Sequence, residues 1–391
     1  MIKVDLFFTK TIYGPTGDCS FVRSMSEQKE LFARQGIDLR IISPDLYTSR
    51  AASEAIGKPT WKHWVFSFFN RFSALTTRLF YYLRSEKSCD MLLNYYADLE
   101  DKGEIIAFQE MMACERFLRK YPDHKQKVLV TLHSDGSFWN MEYYYLPRLK
   151  SSLLKGFRKR VETNLLGNVA LFGFVADHPR VRFCNLYGVN EDRTFFVYNG
   201  IAAKPFPQRE PADKVDLVCV GTLDDRKNQM GILNAIGMMD EDRQKRISVS
   251  FVGGGDAREQ LEAKAQTLSS EVRFVGVTKE VEKYLLQANL FCLFSRSEGL
   301  PISIVEAMRA GLPIIGSNVA GIPEQIIDGD TGYVVRLDEK ELSGVLAKVI
   351  DHKEMLPDMG KASYELFQKN FTVEAMVSQY AEVYKSVISK I

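Results

Sequence analysis

Short apolar runs alternate with longer amphipathic stretches along nearly the whole chain. Runs at 2–8, 38–42, 104–108, 127–132, 169–172 and 194–197 predict strands in the first half. Runs at 215–221, 247–252, 272–275, 290–294, 313–316 and 333–335 predict strands in the second. Between them, apolar positions recur at helical spacing, as in 20–36, 106–120, 256–267, 301–310 and 339–351. Alternation of strand and helix predicts parallel sheets with helices on both faces. It occurs twice, so the expected fold class is α/β with two Rossmann-like, doubly wound domains. The break falls at Asn199-Gly200, just ahead of Pro205, Pro207 and Pro211. A last helical stretch runs from about 361 to 391 and carries Tyr364, Phe367, Phe371, Tyr380 and Tyr384.

Composition narrows this picture. The chain has 391 residues, 46% hydrophobic and 26% charged, with 51 basic and 50 acidic side chains and a net charge of +1. That is ordinary globular usage, and it excludes a disordered chain and a wholly basic nucleic-acid binder. The halves differ: residues 1–200 carry 28 Lys/Arg and 22 Asp/Glu, and residues 201–391 carry 23 and 28. The longest stretches without a charged residue, 163–176 and 310–323, are too short to span a bilayer. The N-terminal run is a short strand and lacks the apolar core of a signal peptide. The six cysteines (19, 89, 114, 184, 219 and 292) form no close pair and read as reduced, buried, small apolar residues. The expected compartment is the cytoplasm.

Two windows of the first half are basic and free of acids. Residues 55–85 hold five Lys/Arg among Trp61, Trp64, Phe66, Phe68, Phe69, Phe72, Phe80, Tyr81 and Tyr82, and residues 143–161 hold six. Such stretches suit an anionic membrane surface, so peripheral membrane contact through 55–85 and 143–161 is expected on the cytoplasmic face. A solvated basic face and a helix hairpin docked on its own domain is the plainer alternative. Single-stranded nucleic acid uses similar residues, but the second half offers it nothing.

The segment 290–335 carries most of the chemistry. A strand ends near Ser295, a loop holds Glu298 and Gly299, and Pro301 suits the first position of a short helix closed by Gly311. In open parallel sheets ligands bind where strands end and helices begin. Amides of residues 300–303 and the helix dipole would make a phosphate site there. Glu298 and Glu306, one on each side of it, suggest a phosphate joining two hydroxyl-rich groups, which is a nucleotide sugar.

The run from Ser297 to Ile315, with Glu298-x7-Glu306, resembles the signature of the retaining GT-B glycosyltransferases of family four (glycosyl transferases group 1). Gly321-Ile322-Pro323-Glu324 and Gly329-Asp330-Thr331-Gly332-Tyr333 extend the likeness. Val220 to Asn228 resembles the strand-end loop whose lysine binds the donor pyrophosphate, and Lys227 falls on that position. The family's arginine after the glycine is replaced by Thr222, and Arg226 is the candidate substitute. By itself, Arg226-Lys227 reads equally as a surface turn. Val197 to Ile201 resembles the family's interdomain element, and Phe251 to Asp256 its glycine turn. Arg258 removes the latter from the dinucleotide fingerprint. In the first half, Tyr13 to Asp18 places Gly14 and Gly17 after the first strand, and Val130 to Gly136 places His133 at a strand end. Asp328-Gly329-Asp330 reads as a turn before a strand.

The resemblance covers nearly the whole chain, with its specific motifs in 197–335. It implies a GT-B architecture: an acceptor domain 1–199, a nucleotide-sugar domain 200–371, and a helix 372–391 crossing back to the first. It implies retaining transfer of a hexosyl unit from a nucleotide sugar, with UDP expected and GDP second, to a hydroxyl of a lipid-linked or growing polysaccharide. His133, Glu298 and Lys227 are the implied catalytic residues. Gly14, Gly17, Arg226, Lys227, Gly299, Leu300, Pro301, Ile302 and Glu306 are the implied donor-binding residues. No cofactor or metal is expected, since no ligand cluster has metal spacing. An epimerase or phosphorylase on the same scaffold and a catalytically silent glycan-assembly subunit are the alternatives.

Overall fold

The computed structural model describes all residues except 15–16, 47–72, 84–86, 208–212 and 390–391. The chain divides into two compact units, Met1–Tyr198 with Met376–Ile391, and Asn199–Ala375. Each is built on one six-stranded parallel sheet with helices, so the doubly wound α/β class expected from the alternation is the fold observed.

The first unit contains β1 (Ile2–Phe7), β2 (Ile37–Ile42), β3 (Ile105–Phe108), β4 (Lys127–Leu132), β5 (Leu171–Phe174) and β6 (Thr194–Phe196). Their order in the sheet is β2-β1-β3-β4-β5-β6. Strands covered on both faces need continuous apolar runs, not alternation. Accordingly all four residues of β3 are buried, as are five of the six in β4. The expected strand 169–172 sits two residues early. Val169 instead caps the helix Lys155–Asn168, and pairing starts where Leu171 meets Leu129. The expected helix 20–36 is two helices, Gly17–Glu27 and Lys29–Arg34, interrupted at Gln28. The expected helix 106–120 starts only at Met111, because Ile105–Phe108 pair as a strand.

The second unit contains β7 (Val215–Val220), β8 (Ile247–Val252), β9 (Glu271–Gly276), β10 (Leu290–Leu293), β11 (Ile314–Ser317) and β12 (Gly332–Val335). Their order is β12-β11-β10-β7-β8-β9. The central strand β10 is wholly buried. A truncation such as Phe291→Ala there would cost ~3–5 kcal/mol.

The C-terminal stretch is two helices, Leu356–Asn370 and Val373–Ser389. Phe371 and Thr372 separate them and pair with Ile201. Residues 376–391 belong to the first unit, where the Tyr380 ring lies 5.9 Å from Phe21 and 6.2 Å from Phe195. Five of the six cysteines are buried, and none is disulfide-bonded.

The basic aromatic window 55–85 lies outside the described residues up to Phe72 and again at 84–86. Of its described aromatics, Phe80 and Tyr81 point inward, 8% and 1% exposed. Tyr81 packs against Trp139 and Phe157. These two rings fill the core and do not face a membrane. No described helix is long and apolar enough to cross one.

Candidate functional site

In the second unit the chain runs from β7 outward through β8 and β9, then returns to the other side of β7 for β10, β11 and β12. The strand order therefore reverses between β7 and β10. The crevice outside the carboxyl ends of two such strands is where open parallel sheets hold ligands. The loops that meet there are Gly221–Asn228, after β7, and Phe294–Pro301, after β10.

These loops are stitched together by their own polar groups. The Arg296 amide donates to the Arg226 carbonyl at 2.8 Å. Asn228 donates from Nδ2 to the Phe294 carbonyl at 3.1 Å and accepts at Oδ1 from Arg296 at 3.0 Å. Asn228 has φ 54°, a left-handed conformation that asparagine tolerates better than most residues, and it precedes the helix Gln229–Gly237. The Lys227 amide donates to Asp224 Oδ1 at 2.8 Å, and Gln229 Nε2 donates to the Thr222 carbonyl at 2.9 Å.

The glycine turn after β8 braces the first loop from the far side. Gly253 has φ 147°, and a Cβ on it would lie 2.0 Å from the Gly221 carbonyl oxygen. A Cβ on Gly255 would lie 2.2 Å from that of Leu223. The Leu223 amide donates to the Gly254 carbonyl at 3.0 Å. Only glycines permit this backbone-on-backbone approach.

Three of the proposed site residues converge within this frame. Glu298 Oε1 accepts from Lys227 Nζ at 2.7 Å and from Arg226 Nη1 at 3.0 Å. Arg226 also donates to the Ser297 carbonyl at 3.1 Å. Exposure is 9% for Arg226, 8% for Lys227 and 6% for Glu298, so the surface-turn reading of Arg226-Lys227 does not hold. Burial opposes the charge on Glu298, but Lys227 and then Arg226 outweigh it and hold the carboxyl below the usual carboxylate range. Burial pushes the neighbouring Cys219 thiol up to about 12, so it stays protonated and inert. The cluster of two cations and one anion keeps a net positive charge.

The helix after this loop is Ile302–Arg309. Pro301, expected at its first position, is instead the residue before it, with φ −66° and ψ 119°. Its extended ψ is incompatible with a helical turn, and its ring nitrogen offers no N–H, so any anion-facing amides belong to its neighbours. The Gly299 carbonyl accepts from the Gly321 amide at 2.9 Å, and that of Pro301 from Gln325 Nε2 at 3.2 Å. Leu300 is buried beneath the loop. Ile302 opens the helix, and Glu306 sits half-buried in its second turn. Asp328-Gly329-Asp330 is a turn leading into β12, where Asp328 Oδ1 accepts from the Val334 amide at 2.9 Å.

The first unit holds the remaining three residues. Its strand order reverses between β1 and β3. Gly14 follows β1, its amide donating to the Thr11 carbonyl at 3.2 Å, and Gly17 begins the helix Gly17–Glu27. His133 stands just beyond β4, with Nε2 2.9 Å from Gln109 Oε1 and its ring 5.2 Å from that of Phe21. Desolvation pushes its pKa down to about 4, so the imidazole is neutral at neutral pH. Sequence reasoning assigned no role to Gln109 or to Glu110, whose carboxylate accepts from the Thr9 amide and hydroxyl at 2.9 and 2.7 Å. It likewise gave none to Asp224, Asn228 and Gln229. Asn228 was the most accessible of these, as a helix-starting residue directly before an apolar run.

Comparison with known proteins bears on the same unit. Residues 201–366 match the family model described as glycosyl transferases group 1. An N-acetyl-alpha-D-glucosaminyl L-malate synthase of Bacillus anthracis is 33% identical over 122 residues, 31% of this chain and 32% of that protein. A Campylobacter jejuni alpha-1,4-N-acetyl-D-galactosaminyltransferase, named for a PP-undecaprenol-linked substrate, is 32% identical over 130 residues, 33% of this chain and 36% of that protein. The matched stretches thus span about a third of each relative. Among solved structures, Anabaena HepE in complex with UDP superposes with a TM-score of 0.68 at 14% identity, covering 99% of this chain and 100% of that one.

Proposed function

We propose, from the premise that this chain is a group 1 glycosyltransferase of GT-B fold, that it moves a hexosyl unit from a UDP-sugar to a hydroxyl acceptor with retention at the anomeric carbon. The proposed acceptor is a lipid-linked glycan or growing polysaccharide, met at the cytoplasmic face of a membrane. One observation carries the reading: two buried cations share one oxygen of Glu298 where the strand order reverses, beside a helix N-terminus. The UDP bound to HepE and the undecaprenol-linked substrate in the Campylobacter relative's name support the choice of donor and acceptor classes.

The mechanism follows from charge. The bond from the anomeric carbon to the diphosphate breaks with its electron pair, and negative charge grows on the leaving phosphate. The Lys227 ammonium exchanges Glu298 for that phosphate, which has the greater negative charge. Arg226 stays on Glu298 and keeps it ionised and oriented toward the sugar. The amides around Ile302 add partial positive charge on the other side. The acceptor oxygen bonds to the anomeric carbon on the face the diphosphate leaves, and its proton passes to the departing phosphate. Glu306 binds the ribose hydroxyls, and neutral His133 offers a hydrogen bond to the transferred sugar. Side chains supply the charge stabilisation, so the proposed reaction is metal-independent.

A thermal-shift panel of UDP, GDP, ADP, TDP and CMP, with and without EDTA, tests this. A ligand at 100 times its Kd adds ~2.7 kcal/mol of stability. Stabilisation by UDP alone, unchanged by EDTA, is the expected outcome. Selective stabilisation by another diphosphate overturns the choice of base. Indifference to all five overturns the donor site.

A further inference from the structure

The described part of the first basic window and the whole of the second lie close together in the first unit. The helix Ala74–Tyr81 packs on the two short turns Pro147–Lys150 and Ser152–Leu154. Its inner face buries Ala74, Thr77, Phe80 and Tyr81. Its outer face presents Leu75 and Leu79, one helical turn apart and 72% and 49% exposed, continued by Leu83. Leu153, on the second turn, is 77% exposed. Single exposed leucines are unremarkable, but four on adjoining elements form an apolar ridge.

Basic side chains predominate around this ridge among the described residues, and the acid on the helix Lys155–Asn168, Glu162, accepts from Trp139 Nε1 at 2.6 Å. Phe157 links the elements, with the Arg78 guanidinium 4.1 Å and the Arg160 guanidinium 5.5 Å from its ring centre. Lys150, Lys155, Lys159 and Arg160 are exposed, and none forms an ion pair among the described residues. Lys159 and Arg160 also line an open cavity of about 620 Å³ with Arg119, Asn164 and Asn168. Its one acid, Glu115, is buried and paired with Arg119 at 3.5 Å.

We propose that this face, the leucine ridge 75/79/83/153 and its basic rim, seats the protein on an anionic phospholipid surface. Aliphatic side chains enter the acyl boundary while long cationic side chains reach the phosphates beside them. Charge complementarity selects this occupant. Single-stranded nucleic acid would need a row of exposed rings to stack on; among the described residues of the two windows only one ring, Tyr145, is more than half exposed, and Phe80, Tyr81 and Phe157 are packed inward or covered by arginine. The inference rests on the proposed membrane contact and supplies its residues. Among the described residues the exposed apolar part of that contact is mainly leucine, and the aromatics at 61–72 lie outside them.

Flotation of the full chain with vesicles tests it. Wild type should float with phosphatidylcholine–phosphatidylglycerol vesicles at low salt, weakly with phosphatidylcholine alone, and progressively less as salt rises. Lys155→Ala/Lys159→Ala should weaken binding about 25-fold, at roughly fivefold per cation near the surface. Leu79→Ser/Leu153→Ser should weaken it at least tenfold. Both doubles change exposed side chains, and unaltered melting confirms that they fold. Equal flotation on neutral and anionic vesicles, no flotation of wild type at low salt, or leucine variants that float like wild type would each overturn the proposal. Self-association lost in the leucine variants, without flotation, would reassign the face to protein contact and overturn it too. UDP binding without vesicles reads the donor site separately, so failure of one reading is distinct from failure of the other.

Discussion

Lys227→Met separates the two tasks assigned to one ammonium. In the structure this group lies 2.7 Å from Glu298 Oε1, and both residues are less than a tenth exposed. Removing one partner of a buried ion pair typically costs ~3–5 kcal/mol, because the other charge is left uncompensated. Here Arg226 remains at 3.0 Å from the same oxygen, so the expected loss is lower, about 1–3 kcal/mol. In a domain of this size that lowers Tm by roughly 2–12 °C. The sign with pH is fixed. Glu298 has its pKa depressed in the folded state, so its pairing contributes stability above the unfolded carboxyl's pKa and loses it as pH falls through the lower, folded value. The gap between wild type and variant should therefore be full at neutral pH and close in acid. Turnover should fall ~10²–10³-fold, the cost of one preorganised charge-stabilising group.

The double variant Lys227→Met/Glu298→Gln is the sharper instrument. Lys227→Met leaves Arg226 and Glu298 as a matched pair, so removing the carboxylate as well strands the buried Arg226 guanidinium, and the double variant should melt below Lys227→Met while remaining as inactive. Differential scanning fluorimetry across pH, beside a donor-turnover assay, reads both quantities. If Lys227→Met melts like wild type at neutral pH, the ion pair does not hold Glu298 and the charge-exchange argument fails. If the double variant recovers turnover, Lys227 acts only through Glu298 and not on phosphate.

Other outcomes follow from the same geometry. Glu306→Ala should raise the donor KM at least tenfold with kcat little changed, since ribose contacts serve ground and transition states alike; steady-state kinetics reads the split. Gly253→Ala sets a Cβ 2.0 Å from the Gly221 carbonyl at φ 147°, so it should destabilise by more than ~1 kcal/mol and weaken UDP binding together, seen in one ligand-dependent melt. His133, held neutral down to a pKa of about 4, costs stability as pH falls from the unfolded value of ~6.5, where only the unfolded chain takes the proton. That window is worth ~1–3 kcal/mol, and His133→Gln should remove this share of the slope between pH ~6.5 and about 4 while leaving the carboxylate share below it.

The parts legible in the sequence are those set by local pattern. Strands buried on both faces need continuous apolar runs, and the twelve strands among the described residues fall at or within two residues of the predicted runs, with charges admitted in some, such as the edge strands β2 and β9. Errors gather at ends, where a neighbour decides. Val169 could extend β5 by composition but caps a helix instead, and Pro301 reads as a helical residue but holds ψ 119°. The candidate site was legible as residue types at chain positions, because Glu298 and Lys227 each follow a strand. Their pairing was not. It depends on β7 lying beside β10, a neighbour relation across about seventy residues that no local period encodes. The same relation explains Arg226. At the end of one loop, with its chain bound to Arg296 across the switch point, an arginine one position before the lysine reaches the carboxylate that the lysine also holds. Arg226 thus gives Glu298 a second cation beside Lys227. Arg226→Gln should therefore raise the Glu298 pKa and move the acid limb of kcat upward, whereas Arg226→Lys should restore it. An unchanged limb in Arg226→Gln would show that Lys227 alone holds the carboxylate.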